Sequence, residues 1–164
     1  MTLKTFIQQL KNRFFAADSR WLDAKANATL TTAIRNGEQG HGGELRLVIE
    51  RRPLPADMSA RDRANRHFST LGLWNTEDRS GVLIYLNLAA QRLEIVADRG
   101  ISDVVPQSVW EDLCRQATQQ IGRGEPLPAL TTLIEAVASL LRQHFGKPND
   151  PHGNELPDSP VIIK

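Results

Sequence analysis

The chain has 164 residues, 40% hydrophobic and 24% charged, which suits one folded domain with its own core. A formal net charge of +1 gives no electrostatic reason to expect nucleic acid or an anionic membrane as partner. The lone Cys114 excludes an internal disulfide and a cysteine-based zinc cluster.

The first twenty residues, "MTLKTFIQQLKNRFFAADSR", scatter Lys4, Lys11 and Arg13 among apolar positions. They hold no continuous apolar run and no small-residue cleavage site, so a secretory signal is not expected and a cytoplasmic location is the default. No segment reaches the roughly 18 apolar residues of a spanning helix, so direct membrane insertion is not expected. Residues 2–16 carry helical periodicity through Phe6, Leu10 and Phe14, and residues 1–17 read as an N-terminal helical extension.

A second helix is expected from Asp18 or Ser19, with Leu22, Ala26, Leu30, Ala33 and Ile34 as its stripe and Gly37 as its stop. The loop "EQGHGG" leads into "ELRLVIER", where alternation predicts a half-buried strand over 44–51. Ser59 and Asp62 form a capping-box pattern, followed by Ala60, Ala64, Phe68 and Leu71 on the buried face of a third helix. After "WNTEDRS" comes a strand over 82–88, apolar on both faces as a covered central strand should be. "AAQR" is too short for anything but a hairpin into Leu93–Ala97. Pro106 begins a fourth helix that runs to Gly122, and a fifth carries Leu130, Leu133, Ile134, Val137, Leu140, Leu141 and Phe145 to Gly146. The residues thus describe one α/β domain over 1–146. It has a small mixed sheet (a βαβ unit plus an antiparallel hairpin) and about five flanking helices. Residues 147–164, rich in proline and polar groups, read as a mobile tail.

Strand direction then places the candidate site. The end of the third strand lies beside the start of the second, and the first strand runs parallel to the second. Three loops should therefore gather at one end of the sheet, where a rigid scaffold presents ionisable groups. They carry Glu77, Asp78, Asp98 and Asp103 as candidate metal ligands. His41, Glu44, Trp74, Asn75, Arg79 and Arg99 are the candidate binding residues. Converging carboxylates suit a hard cation such as Ca²⁺, although no D-x-D-x-D-G run of an EF-hand is present. The alternative reading of the same acids is a set of solvated loop residues balanced by Arg79 and Arg99. His67 reads as a partly buried structural histidine and Cys114 as a core thiol.

The stretch "WNTEDRSGVLIYLNLAAQRLEIVADRGI" resembles the core of the TPM domain, a module of thylakoid and many bacterial envelope proteins. "GELRLVIE" is similar to that family's first strand and "RANRHFSTLGLW" to its following helix, a likeness running from about His41 to Phe145. Asp98 stands where the family usually has the first glycine of Gly-x-Gly, Ser80 where Asn is common, and Gln107 where many members carry Asp. The resemblance implies a Rossmann-like α/β/α sandwich, Ca²⁺ binding in some members, and a proposed acid phosphatase activity in a plant member. With neither signal peptide nor transmembrane tail, the chain looks like the short soluble bacterial branch. Its genes often accompany a second TPM protein and a membrane protein, which implies a partner at the inner membrane face. Two functional readings follow. One is a non-catalytic module docking a protein partner, with Ca²⁺ at the acidic end. The other is a metal-assisted phosphomonoesterase.

Overall fold

The computed structural model describes residues 19–147 and 156–164. The helix expected over residues 2–16 lies outside the described residues. The described elements run α1 (Ala24–Gly37), β1 (Leu45–Glu50), α2 (Ala60–Thr70), β2 (Val82–Asn87), β3 (Arg92–Ala97), α3 (Arg99–Ser102), α4 (Gln107–Gly122), α5 (Pro126–Phe145) and β4 (Val161–Ile163).

The four strands form one mixed sheet in the order β3-β2-β1-β4. β1 is parallel to β2 and β4, whereas β3 returns antiparallel from β2. Because successive side chains point to opposite faces, the sheet divides its apolar residues between two layers. Leu45, Leu47, Ile49, Val82, Ile84, Leu86, Leu93 and Ile95 pack with α1, α4 and α5. Val48, Leu83, Tyr85 and Val96 pack with Ala60, Ala64 and Phe68 of α2. The result is an α/β/α sandwich with β1 and β2 buried along their whole lengths.

Local chemistry sets the boundaries. Asp23, rather than Asp18 or Ser19, caps α1: its Oδ1 accepts from Ala26 N at 2.8 Å, and Ser19–Trp21 is only a 3₁₀ turn before it. The capping box forms on α2, with Ser59 Oγ accepting from Asp62 N and Asp62 Oδ2 accepting from Ser59 N. Pro126 opens α5, where the missing N–H costs nothing.

Two expectations are corrected. β1 is not half-buried: Arg46 and Glu50, which read as a solvent face, are 6% and 3% exposed. Glu50 finds its partners in Arg63 of α2 and Tyr85, and Arg46 donates to Pro157 O. Nor is the C-terminal segment wholly a free tail. Val161–Ile163 pairs with Val48, Ile49 and Glu50 as the edge strand β4, and Leu156, Val161 and Ile163 pack against the α2-side core. An additional short helix, α3, follows β3 directly.

Candidate functional site

Register fixes which chain ends meet. Leu45 lies opposite Val82, and Val82 opposite Ala97. The loops before β1, before β2 and after β3 therefore share one rim. Gly100 lets the loop after β3 touch the loop before β2, and Gly81 lets that second loop fold back on itself. A Cβ on Gly100 would lie 2.2 Å from Asp78 O and 2.6 Å from Arg79 O, and one on Gly81 would lie 2.1 Å from Leu73 O. Only a residue without a side chain allows backbone to approach backbone so closely. The loop 74–81 is further held by Ser80 N donating to Thr76 Oγ1 and Arg79 N to Thr76 O, with Arg79 at φ +50°.

On this frame the predicted residues separate into an exposed and a buried group. Trp74, Asn75, Glu77, Arg79, Arg99 and Asp103 are exposed. The indole N–H of Trp74 donates to Ser69 O at 3.2 Å, and the residue is 59% exposed. Asp98 is half-buried and caps α3, its Oδ1 accepting from Arg99 N at 2.8 Å. At the end of the apolar hairpin, the acid thus starts a helix and Gly100 seats it on the neighbouring loop.

His41 and Glu44 are not on the surface. His41 is 2% exposed, with Nδ1 accepting from Gly43 N at 3.0 Å. Nε2 therefore carries the proton and donates to Gly37 O at 2.7 Å, so the ring is a staple for its loop. Glu44 is 4% exposed and belongs to a buried charged group with Glu38, Arg46 and Asp158. Burial, with Glu44 and Asp158 nearby, pushes the Glu38 carboxyl up to about 9, against the pull of the bond from Leu45 N.

Sequence reasoning missed two residues of the rim. Lys147 Nζ lies 2.6 Å from Asp78 Oδ2 and 3.5 Å from Glu77 Oε2. It is carried there because Lys147 N donates to Gly40 O and Gly42 N to Phe145 O, a bridge invisible in the sequence. Val104, after α3, is 49% exposed. Its only signal was an apolar residue between an exposed acid and the start of a helix.

A second polar cluster lies at the carboxyl ends of β1 and β2, where open α/β sheets commonly bind ligands. Glu50 accepts from Arg63 Nε at 2.9 Å, Arg63 Nη2 at 2.7 Å and Tyr85 OH at 2.6 Å. Asn87 Nδ2 donates to Tyr85 OH and to Arg52 O, each at 3.0 Å. His67 stacks over Tyr85 with centroids 5.4 Å apart, and its Nε2 is 3.6 Å from Glu50. Burial lowers the His67 pKa, favouring the neutral ring. Cys114 is half-buried and its thiol is pushed up to about 11 by burial, which makes it unreactive at neutral pH.

The pattern of the TPM domain matches residues 17–140. The chain belongs to the TPM domain family. No curated protein sequence matches it. Among solved structures it is similar to the BA42 protein of the psychrophilic bacterium Bizionia argentinensis. They share 28% identity with a TM-score of 0.75, covering 85% of this chain and 94% of that one. It also resembles the N-terminal domain of a P. gingivalis protein, at 18% identity and TM-score 0.64, covering 83% and 92% of the two chains. That second likeness is one of fold.

Within this TPM domain, the four candidate metal ligands do not present one donor set. Asp78 and Glu77 share Lys147, Asp98 is turned to its helix cap, and Asp103 is exposed. Among the described residues no three His, Cys, Asp or Glu side chains gather closely enough to hold a metal ion. Among them, too, no helix is long and apolar enough to cross a membrane. Lys147 and β4 both lie beyond the matched residues.

Proposed function

We propose that the chain is a non-catalytic docking module whose loop rim, at the amino end of β1 and β2, receives a protein partner. The observation that carries this reading is the placement of Trp74 and Val104. They are the large apolar side chains left exposed among the described residues; Trp74 lies on the loop before β2, and Val104 follows α3, the short helix after β3. Exposed Arg79 and Arg99 accompany them. Tryptophan and arginine are the residue types that most often dominate binding energy at protein interfaces. A rim whose backbone is locked by close glycine contacts presents them with little ordering cost on association.

The partner class to which the family resemblance points is a membrane-associated protein or a second TPM protein at the inner membrane face. Calcium has no part in this reading, because Lys147 already pairs with Asp78 and Glu77. The metal-assisted phosphomonoesterase alternative has no gathered donor set among the described residues from which to start.

A photo-crosslinking amino acid placed at position 74 in cells tests the proposal. It should give one discrete adduct that Arg79→Glu and Arg99→Glu together suppress and that a calcium chelator leaves unchanged. The same probe at Gln119, exposed on α4, should give none. Equal crosslinking at both positions would end the docking reading, and loss of the adduct on chelation would restore calcium to it.

A further inference from the structure

The two edges of the sheet are finished differently. β4 covers β1 on one side, whereas β3 has no strand beyond it among the described residues. Asp98 N donates to Gly81 O, so the Asp98 backbone turns toward β2. In an antiparallel pair this direction alternates along the strand, and Leu93, Ile95 and Ala97 therefore turn their N–H and C=O groups outward. Ile95 is answered: its carbonyl accepts from Arg61 Nη1, and its amide faces the Cys114 sulfur. Leu93 and Ala97 are not, since no described residue bonds their outward groups.

Along Leu93 and Ile95 this edge borders a cavity of about 220 Å³. One wall is β3. The other is a stripe of α4, made of Gln107, Trp110, Glu111 and Cys114 at the spacing of a single helix face, and Arg61 of α2 also lines it. Two features of these walls call for a ligand. Trp110 is 4% exposed, yet its indole Nε1–H has no acceptor. Buried donors are costly to leave unmet and nearly always find a partner. The charges, too, are unequal. Glu94 pairs with Arg61 at 3.6 Å, but Glu111 is exposed, accepts from Gln107 Nε2 at 3.3 Å, and has no cation beside it among the described residues.

We infer that this groove binds a short extended peptide carrying a positive charge. An open strand edge is where peptides add to a sheet, with main-chain bonds supplying affinity and side-chain contacts specificity. Here the outward groups of Leu93 offer the main-chain pair, and the Trp110 indole donates to a peptide carbonyl. Leu93, Ile95 and the Trp110 ring form the apolar floor, and Glu111 receives a lysine or arginine side chain. Arg61 sits on the middle of the three outward rungs. A full added strand, including β3 of a second copy, meets its guanidinium there; a peptide of a few residues does not.

NMR of the full chain tests this with two end-blocked peptides, Thr-Val-Lys-Val-Thr and Thr-Val-Glu-Val-Thr. The lysine peptide should move the Trp110 indole and Leu93 amide resonances together. It should bind at least ~10-fold more tightly than the glutamate peptide, because one meets an unneutralised carboxylate and the other is repelled by it. Trp110→Phe, which removes the donor and keeps an aromatic ring, should weaken the lysine peptide about 10-fold. Glu111→Gln, on the exposed side of α4, leaves the fold intact and should erase the preference for lysine over glutamate. Equal binding of the two peptides, a preference that survives Glu111→Gln, or resonances of Trp110 and Leu93 that stay still at millimolar peptide would each overturn the inference. A dimer of the wild-type chain that protects the Leu93 amide from exchange would give the edge to a second copy, and would overturn it as well.

Discussion

The two ends of the sheet hold similar kinds of residue and use them in opposite ways. At the carboxyl ends of β1 and β2, the Glu50 carboxylate is enclosed by bonds from Arg63 and Tyr85, and Asn87 closes the network onto Tyr85 and the Arg52 carbonyl. Each group is answered by another group of the same chain. At the amino ends the backbone is what is locked, and the side chains of Trp74, Arg79 and Arg99 point to solvent. A buried network that satisfies itself specifies a fold. A rigid loop with unspent side chains is available to something else. Charge density alone does not distinguish them; the destination of each hydrogen bond does.

Breaking the buried end should have the largest effect. Glu50→Ala leaves the Arg63 guanidinium and the Tyr85 hydroxyl without their acceptor, a change expected to cost about 3–5 kcal/mol in denaturant unfolding. Glu50→Gln should cost less. The pH dependence has a definite sign. Burial alone would raise the Glu50 pKa, but the bonds from Arg63 and Tyr85 outweigh it and hold the carboxyl below its usual 4.5. The stability it contributes is therefore present above pH 4.5 and lost as the pH falls through the lower folded value. Both variants should lose less stability than the wild type in that acid window. A Glu50→Ala protein as stable as the wild type would remove the contrast between the two ends.

At the rim, the backbone contact is the point of attack. Gly100→Ala places a methyl group 2.2 Å from Asp78 O, so the loops after β3 and before β2 must separate. Overpacking of this kind is expected to cost about 1–3 kcal/mol, and amide shifts in NMR spectra should spread from Ile101 into Asp78 and Arg79. An unperturbed loop 74–81 would mean that the two loops do not share a frame.

Beneath the rim, Glu38 sharpens the comparison from the other direction. Here burial, with Glu44 and Asp158 nearby, raises the carboxyl pKa to about 9, whereas Glu50 is lowered. The sign reverses accordingly. The protonated form is favoured in the folded state, so its contribution is complete below about pH 4.5 and is lost as the pH rises through about 9. Glu38→Gln, which keeps an oxygen for Leu45 N and never ionises, should stabilise the domain by about 1 kcal/mol at pH 8. It should also flatten the decline from pH 5 to 9. Thermal melts across that range are sufficient, and an unchanged slope would refute the assignment.

Much of this architecture was legible in the residues. The turn-separated runs at 82–97 gave the hairpin, Ser59 with Asp62 gave the start of α2, and strand direction alone implied that loops 74–81 and 98–103 would meet. What was not legible depended on distant partners. Arg46 and Glu50 alternate with apolar residues and so imitate a solvent face; their burial rests on Pro157, Arg63 and Tyr85, up to 111 positions away. Likewise the prolines and polar residues of 147–160 outweighed the three apolar residues at 161–163, whose strand exists only because β1 offers an open edge. His41 looked accessible in its glycine loop, yet those same glycines let the loop fold over its ring. Lys147 reached the acids through a backbone bridge that no side-chain pattern encodes.

The smallest stability effect should come from the residue on which the proposed docking most depends. Trp74 makes a single hydrogen bond and leaves 59% of its surface exposed, so Trp74→Ala should change unfolding stability by no more than ~0.5 kcal/mol. If the rim docks a partner, that same substitution should weaken the complex at least ~10-fold, since a central aromatic anchor typically contributes upwards of 1.4 kcal/mol. Val104→Ser should give a smaller loss of the same kind. The two measurements together separate scaffold from site: a large stability change would make Trp74 part of the fold. An unchanged complex would show that the exposed ring belongs to no interface, and the rim would then be a solvated end of the sheet like any other.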